Sequence, residues 1–231
     1  MKPFKFQKFT INQSKEVFRV GTDGVLLGAL ANVSGRNEVL EVGTGTGIIS
    51  LMLAQRNSQT QITAIDLNEN AVNIAAENFE NSPFAERLRV IGGDFKKFES
   101  YQKFDFIVSN PPYFDENSSS KDVLARQRIE LDFSDLIKKS SELISIDGVF
   151  SVIIPFEFGD EFTAECLHNQ FHLIRKINII GIEGSKPKRL ILEFSKTESS
   201  FTEENFTIEK SPRQYSNQYL QVTQDFHTFG K

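Results

Sequence analysis

Apolar and polar positions change their period along the chain. Short, nearly unbroken apolar runs at residues 38–42, 61–66, 88–91 and 104–109 alternate with stretches where apolar residues return every three or four positions. The runs predict strands buried on both faces, and the longer period predicts helices. One helix is expected over 47–56, with Ile48, Ile49, Leu51, Met52 and Leu53 inward. Another follows the N-cap residue Asn68, with Ala71, Val72, Ile74, Ala75 and Phe79 at helical spacing. A third, over 133–144 through Leu136, Ile137, Ser140, Leu143 and Ile144, precedes a strand at 149–154, and a late strand is expected at 190–194. Strands separated by helices imply an α/β fold, a parallel sheet with helices on both faces. Two polar stretches interrupt this pattern. Residues 115–123, with Ser118, Ser119 and Ser120, are long enough for a mobile active-site loop. The stretch from Lys196 onward ends in Tyr215, Tyr219, Phe226 and Phe229, so it is expected to pack rather than to stay disordered.

The 231 residues suit one domain, divided here into an N-terminal extension (1–35), a core (36–195) and a C-terminal segment packing on that core (196–231). An apolar share of 39% and a charged share of 25% exclude collagen-like, coiled-coil and disordered classes. The single cysteine, Cys166, excludes a disulfide framework and a cysteine zinc site, and it suits a reducing compartment. His168 and His172 stand at a spacing that can share a helix face, but neither they nor His227 lie near a motif, so no metal is expected. The longest apolar run, residues 25–33, is far below bilayer length, and the N-terminus lacks the apolar core of a signal peptide. The expectation is a cytoplasmic protein with no membrane contact. Net charge is −5, yet Lys2, Lys5, Lys8, Lys15 and Arg19 face only Glu16 within residues 1–20. Likewise Arg175, Lys176, Lys186, Lys188 and Arg189 face only Glu183 within residues 175–189. Two positive segments on an acidic chain are a candidate phosphate-binding face; solvated surface loops are the plainer alternative.

Three strand ends carry candidate chemistry. The first strand runs into Glu41-Val42-Gly43-Thr44-Gly45-Thr46-Gly47 and opens a helix, so glycines let a cofactor approach the backbone at a helix N-terminus. The dinucleotide fingerprint needs G-x-G-x-x-G and fails here at Ile48; an acidic residue two positions before the first glycine suits a positively charged cofactor better than a pyrophosphate. Asp66 ends the second strand, where an acidic side chain accepts from a ribose diol; the alternative is a helix cap, a role that Asn68 can fill alone. Asp94, in Gly92-Gly93-Asp94-Phe95, is placed either to meet an adenine amino group or to make a turn. Asn110-Pro111-Pro112-Tyr113 ends the fourth strand. Its two prolines fix the chain direction, so the Asn110 oxygen and a neighbouring carbonyl become a rigid acceptor pair for a planar amino group. Tyr113 is suited to stack on the ring that carries the amine.

In order and spacing, Glu41 to Gly47, Asp66, Asp94 and Asn110 to Tyr113 resemble class I S-adenosylmethionine-dependent methyltransferases acting on amino nitrogens. Val20-Gly21-Thr22-Asp23-Gly24-Val25-Leu26-Leu27-Gly28-Ala29, Lys188-Arg189-Leu190-Ile191-Leu192-Glu193-Phe194 and the closing residues 215–226 resemble the bacterial valine-tRNA adenine-37 N6-methyltransferases. The family pattern has a further aromatic after Asp225-Phe226, where this chain has His227. The resemblance implies a Rossmann-like, mostly parallel seven-stranded sheet with an antiparallel late strand. It implies S-adenosyl-L-methionine as cofactor, held by Glu41, Gly43, Thr44, Gly45, Gly47, Asp66, Leu67, Asp94, Phe95 and Asn110, with Asn110, Pro111, Pro112 and Tyr113 at the reaction. A tRNA partner is implied, with contacts from Arg126, Arg128, Lys186, Lys188 and Arg189 and a monomer assumed, and the N-terminal extension, residues 1–35, is expected to contribute to the cofactor or RNA site. Asn-Pro-Pro-Tyr also serves enzymes that methylate glutamine in release factors and adenine in DNA. The former would carry an N-terminal helical domain and the latter a target-recognition domain, neither of which has room here. A non-catalytic RNA-binding module with this fold is the alternative from another class.

Overall fold

A computed structural model describes residues 1–17, 19–112 and 132–227. Eleven strands lie among them. Strands β1 (Phe4–Lys5) and β2 (Thr10–Ile11) pair as a small antiparallel hairpin. The other nine form one sheet: β3 (Glu38–Val42), β4 (Gln61–Asp66), β5 (Leu88–Gly92), β6 (Phe104–Ser109), β7 (Ile144–Pro155), β8 (His172–Ile182), β9 (Pro187–Ser195), β10 (Thr202–Ser211) and β11 (Gln214–Tyr215). Their order across the sheet is β11-β10-β8-β9-β7-β6-β3-β4-β5. Strands β7, β6, β3, β4 and β5 run parallel, and β9 is antiparallel to both of its neighbours. The chain moves outward from β3 to β5 and then returns to lay β6 on the other side of β3. Such a reversal opens a crevice at the carboxyl ends of the two strands, and both the glycine loop and Asn110 are delivered to it.

The helices are α1 (Thr22–Leu30), α2 (Ile48–Arg56), α3 (Glu69–Glu80), α4 (Phe133–Leu143), α5 (Gly159–His168) and α6 (Asn217–Thr223). Two apolar layers hold them to the sheet. One joins Leu26 and Leu27 of α1, Leu51 and Met52 of α2, Ala75 and Phe79 of α3 and Tyr219 of α6 to inward residues of the central strands. The other joins Leu136 and Ile137 of α4 and Phe162 and Cys166 of α5 to Phe150, Phe171 and Phe194. Helix α1 is buried along Gly24–Ala29, as expected of a segment apolar all round. It lies tight on α2, because a Cβ at Gly28 would stand 2.8 Å from the Met52 sulfur.

The expected antiparallel late strand is β9, longer than the stretch read from apolar pattern. The sheet also extends past the seven core strands. Residues 202–215, expected only to pack, supply β10 and β11, and β10 runs parallel to β8. Strand β8 takes in Arg175 and Lys176, expected in a phosphate-binding face. They are engaged within the sheet instead: Arg175 pairs with Glu204 at 2.8 Å and Glu193 at 3.5 Å, and Lys176 with Glu203 at 3.1 Å. His168 ends α5 and His172 begins β8, so the two do not share a helix face.

Candidate active site

The loop between β3 and α2 is built from glycines for a conformational reason. Gly43, Gly45 and Gly47 have φ of +74°, +56° and +80°, the left-handed region that side chains avoid. Gly43 also faces open space, whereas a Cβ on Gly47 would stand 2.5 Å from Phe79 Cε1. One glycine therefore opens the backbone to a ligand and another lets α3 close against the loop. Gly47 is the N-cap of α2.

Glu41 lies at the end of β3 and is 1% exposed. Its Oε2 accepts from Thr44 Oγ1 (2.9 Å), Ser50 N (3.1 Å) and Ser50 Oγ. Its Oε1 is buried and has no hydrogen-bond partner among the described residues. Burial outweighs the three donors and pushes the carboxyl up to about 7. Asp66, one strand over, ties the crevice together: Oδ2 accepts from Gly45 N and Oδ1 from Asn68 N, both at 2.9 Å. Burial raises its pKa as well. The cap of α3 is Asn68, whose side chain accepts from Asn70 N, so Asp66 is left to the loop.

The other expected residues fall at the same end of the sheet in different settings. Leu67 is exposed at 49% and Phe95 is buried at 4%. Asp94 makes the turn that the sequence allowed: its Oδ1 accepts from Lys96 N at 2.9 Å, and Lys97 stands 3.6 Å from Oδ2. Asn110 follows β6 half-buried, Pro111 is buried and Pro112 exposed. Ser109, just before them, donates to the Val42 carbonyl at 2.9 Å and locks β6 to β3 where the strands end. Tyr113, Arg126 and Arg128, and the polar loop of residues 115–123, lie outside the described residues.

Lys186, Lys188 and Arg189 flank the β8–β9 turn. Because β9 is antiparallel to β7, with Arg189 opposite Pro155, all three stand on the rim to which Asn110 belongs. Lys186 and Lys188 are exposed, and Arg189 Nε donates to Asp23 Oδ2 at 3.0 Å. Lys2, Lys5, Lys8, Lys15 and Arg19 are exposed too. Sequence reasoning missed Ser50 and Asn78. Ser50 is buried in an apolar helix and carries no signal of its own; Asn78 is a polar residue on the buried face of α3, which was a signal.

Taken together, the site offers an open glycine loop, a buried carboxyl with a spare oxygen, a second carboxyl on the next strand and a rigid Asn-Pro-Pro exit on the far side. Residues 12–177 match the family model described as methyltransferase small domain. A protein of a Flavobacteriaceae bacterium (strain 3519-10), named tRNA1(Val) (adenine(37)-N6)-methyltransferase, is 55% identical over 99% of this chain and 100% of its own length. Proteins of the same name from Phocaeicola vulgatus and Bacteroides thetaiotaomicron are 39% and 36% identical, each over 97% of this chain and 97% and 96% of their own lengths. Among solved structures, a predicted O-methyltransferase from Agrobacterium tumefaciens matches with a TM-score of 0.71 at 17% identity, over 88% of this chain and 96% of that one. A glycopeptide N-methyltransferase complexed with S-adenosyl-L-methionine matches with a TM-score of 0.57 at 13% identity, over 78% of this chain and 90% of that one.

Proposed function

Because the chain belongs to the tRNA1(Val) (adenine(37)-N6)-methyltransferases, within the methyltransferase small domain family, we propose how its own residues carry out that family's reaction. The reaction is methylation of N6 of adenosine 37 in a valine tRNA, with S-adenosyl-L-methionine as methyl donor. The residues fit that cofactor. Glu41 offers a buried, unpartnered oxygen to an ammonium group, the open face of Gly43 admits a ligand to the backbone, and Asp66 has acceptor capacity left for a ribose diol. Gly45, Thr44 and Gly47 complete the cradle, with Leu67, Asp94 and Phe95 beside it on the same rim.

S-adenosylmethionine, when bound, supplies a methyl group made electrophilic by the sulfonium that carries it. What the chain must add is alignment and charge stabilisation, since the N6 lone pair of adenine is delocalised into the ring. We assign that to Asn110 and the Pro111 carbonyl, which accept the two N–H bonds and push electron density back onto nitrogen. Pro111 and Pro112 hold the pair rigid. Tyr113 stacks on the base. Lys186, Lys188 and Arg189, with Arg126 and Arg128, take the phosphates, so binding weakens as salt rises. We place the reaction in the cytoplasm, by one protomer acting alone.

One observation carries this reading: the glycine loop and the Asn110 exit leave adjacent strands, β3 and β6, at the reversal of the sheet. The test is transfer of labelled methyl groups to RNA that lacks the modification, with product nucleosides identified by mass spectrometry. N6-methyladenosine should appear in a valine tRNA, and Asn110→Ala should slow transfer by about 10²–10³-fold. Label in a protein, or in another nucleoside, would overturn it.

A further inference from the structure

The glycine loop is the least self-supporting part of the site, because three left-handed glycines lose more conformational freedom on ordering than any other residues. Something outside the loop must hold it. Residues Asn12–Val17 lie across it. Val17 is 8% exposed, and its Cγ1 is 4.0 Å from where a Cβ on Gly45 would stand. Asn68 Nδ2 donates to the Glu16 carbonyl at 3.4 Å, and Gln13 Oε1 accepts from Val20 N at 3.0 Å.

The near end of this segment is pinned by Asn78, which is 1% exposed. Its Oδ1 accepts from Asn12 N (2.8 Å), while its Nδ2 donates to the Asn12 carbonyl (3.1 Å) and to the Thr46 carbonyl (2.9 Å). Both amide hydrogens and one acceptor are thus engaged, one of them inside the loop itself. Asn12 Nδ2 adds a bond to Glu77 Oε1 at 2.8 Å. A single buried side chain therefore joins α3, the N-terminal segment and the glycine loop.

We propose that Asn78 and Val17 are positioning residues for the cofactor: Asn78, through the backbone of Asn12, and Val17, by packing on Gly45, hold the glycine loop in its binding conformation from outside. The proposal rests on the reading that this loop binds S-adenosylmethionine. Its physical content is preorganisation. Loop entropy lost during folding need not be lost again on binding, so loosening the segment weakens cofactor affinity without altering the chemical step.

The experiment measures the Kd of S-adenosylhomocysteine by calorimetry for the full chain, alongside melting temperature, kcat and both KM values. Asn78→Ala, which removes all three bonds of that side chain, and Val17→Ala should each weaken cofactor binding about tenfold or more, the net worth of at least one ordinary contact. Asn78→Asp keeps the shape and the acceptor, but its carboxylate cannot donate to the Thr46 and Asn12 carbonyls, and it should weaken binding by at least as much. In all three, kcat at saturating cofactor and the KM for tRNA should stay at wild-type values. Three variants that bind cofactor as tightly as wild type, whatever their melting temperatures, would overturn the proposal. A rise in the KM for tRNA with unchanged Kd would also overturn it, making the segment an RNA surface. Failure of the wild type to bind would instead sink the underlying reading.

Discussion

Glu41 combines two properties that pull against each other, a buried carboxyl raised to about 7 and an oxygen left without a partner. Its raised pKa means that the folded chain takes up protons more readily than the unfolded one between 4.5 and about 7. Stability without cofactor should therefore fall as pH rises through that window, a slope absent from Glu41→Gln. Cofactor binding should move the opposite way. The positive ammonium group favours the ionised carboxylate, so affinity should climb with pH and level off above about 7. Calorimetric titration from pH 5.5 to 8.5 checks this: a profile that Glu41→Gln leaves unchanged would discard the ammonium-binding role. Arg189 belongs to the same scale. Its bond to Asp23 joins the first turn of α1 to the rim of β9, so removing it disturbs an ion pair as well as the phosphate contact proposed for it.

At the scale of elements, the two ends of the glycine loop are under different constraints. Gly43→Ala meets open space and faces only the cost of a positive φ, about 1–2 kcal/mol. Gly47→Ala faces that cost and also drives Phe79 off the loop, which adds about 1–3 kcal/mol. Urea denaturation should rank Gly47→Ala clearly below Gly43→Ala, and equal midpoints would contradict the packing described. Strands β3, β4 and β6 were legible to the residue because both of their faces are buried and their apolar runs are nearly unbroken. Strand β8 was not. Its first half is half-buried and interrupted by Arg175 and Lys176, whose partners lie on β9 and on β10, about 20–30 residues further on, so no local pattern reveals the pairing. The site divides in the same way. Glu41, Asp66 and Asn110 stand at ends of legible strands and could be named, whereas the bond from Asn12 to Asn78 spans 66 positions.

Across the whole molecule, the beginning and the end of the described chain close on each other. Gln7 donates from its side chain to the carbonyls of Gln224 and His227, and its backbone N–H donates to that of Phe226. The His227 ring stacks between Phe6 (5.7 Å) and Tyr219 (6.0 Å), and its Nε2 lies 3.1 Å from the Tyr219 hydroxyl. Burial lowers the His227 pKa below 6.5. Its contribution to stability is thus complete above 6.5 and is lost as pH falls toward the lowered value. Urea midpoints between pH 5 and 8 should show the loss, and His227→Phe should flatten that limb.

That closure also sets an order of events during synthesis. The side chain of Gln7 leaves the ribosome more than 200 positions before its partners, at separations of 217 and 220. The hairpin leading into Asn12–Val17 therefore has no place to dock on the C-terminal residues until translation has passed them. A nascent chain can build the central strands early, but the brace over the glycine loop is anchored at both ends only after translation has passed His227. A chain cut short before α6 would then carry every residue of the cradle and still hold its methyl donor poorly.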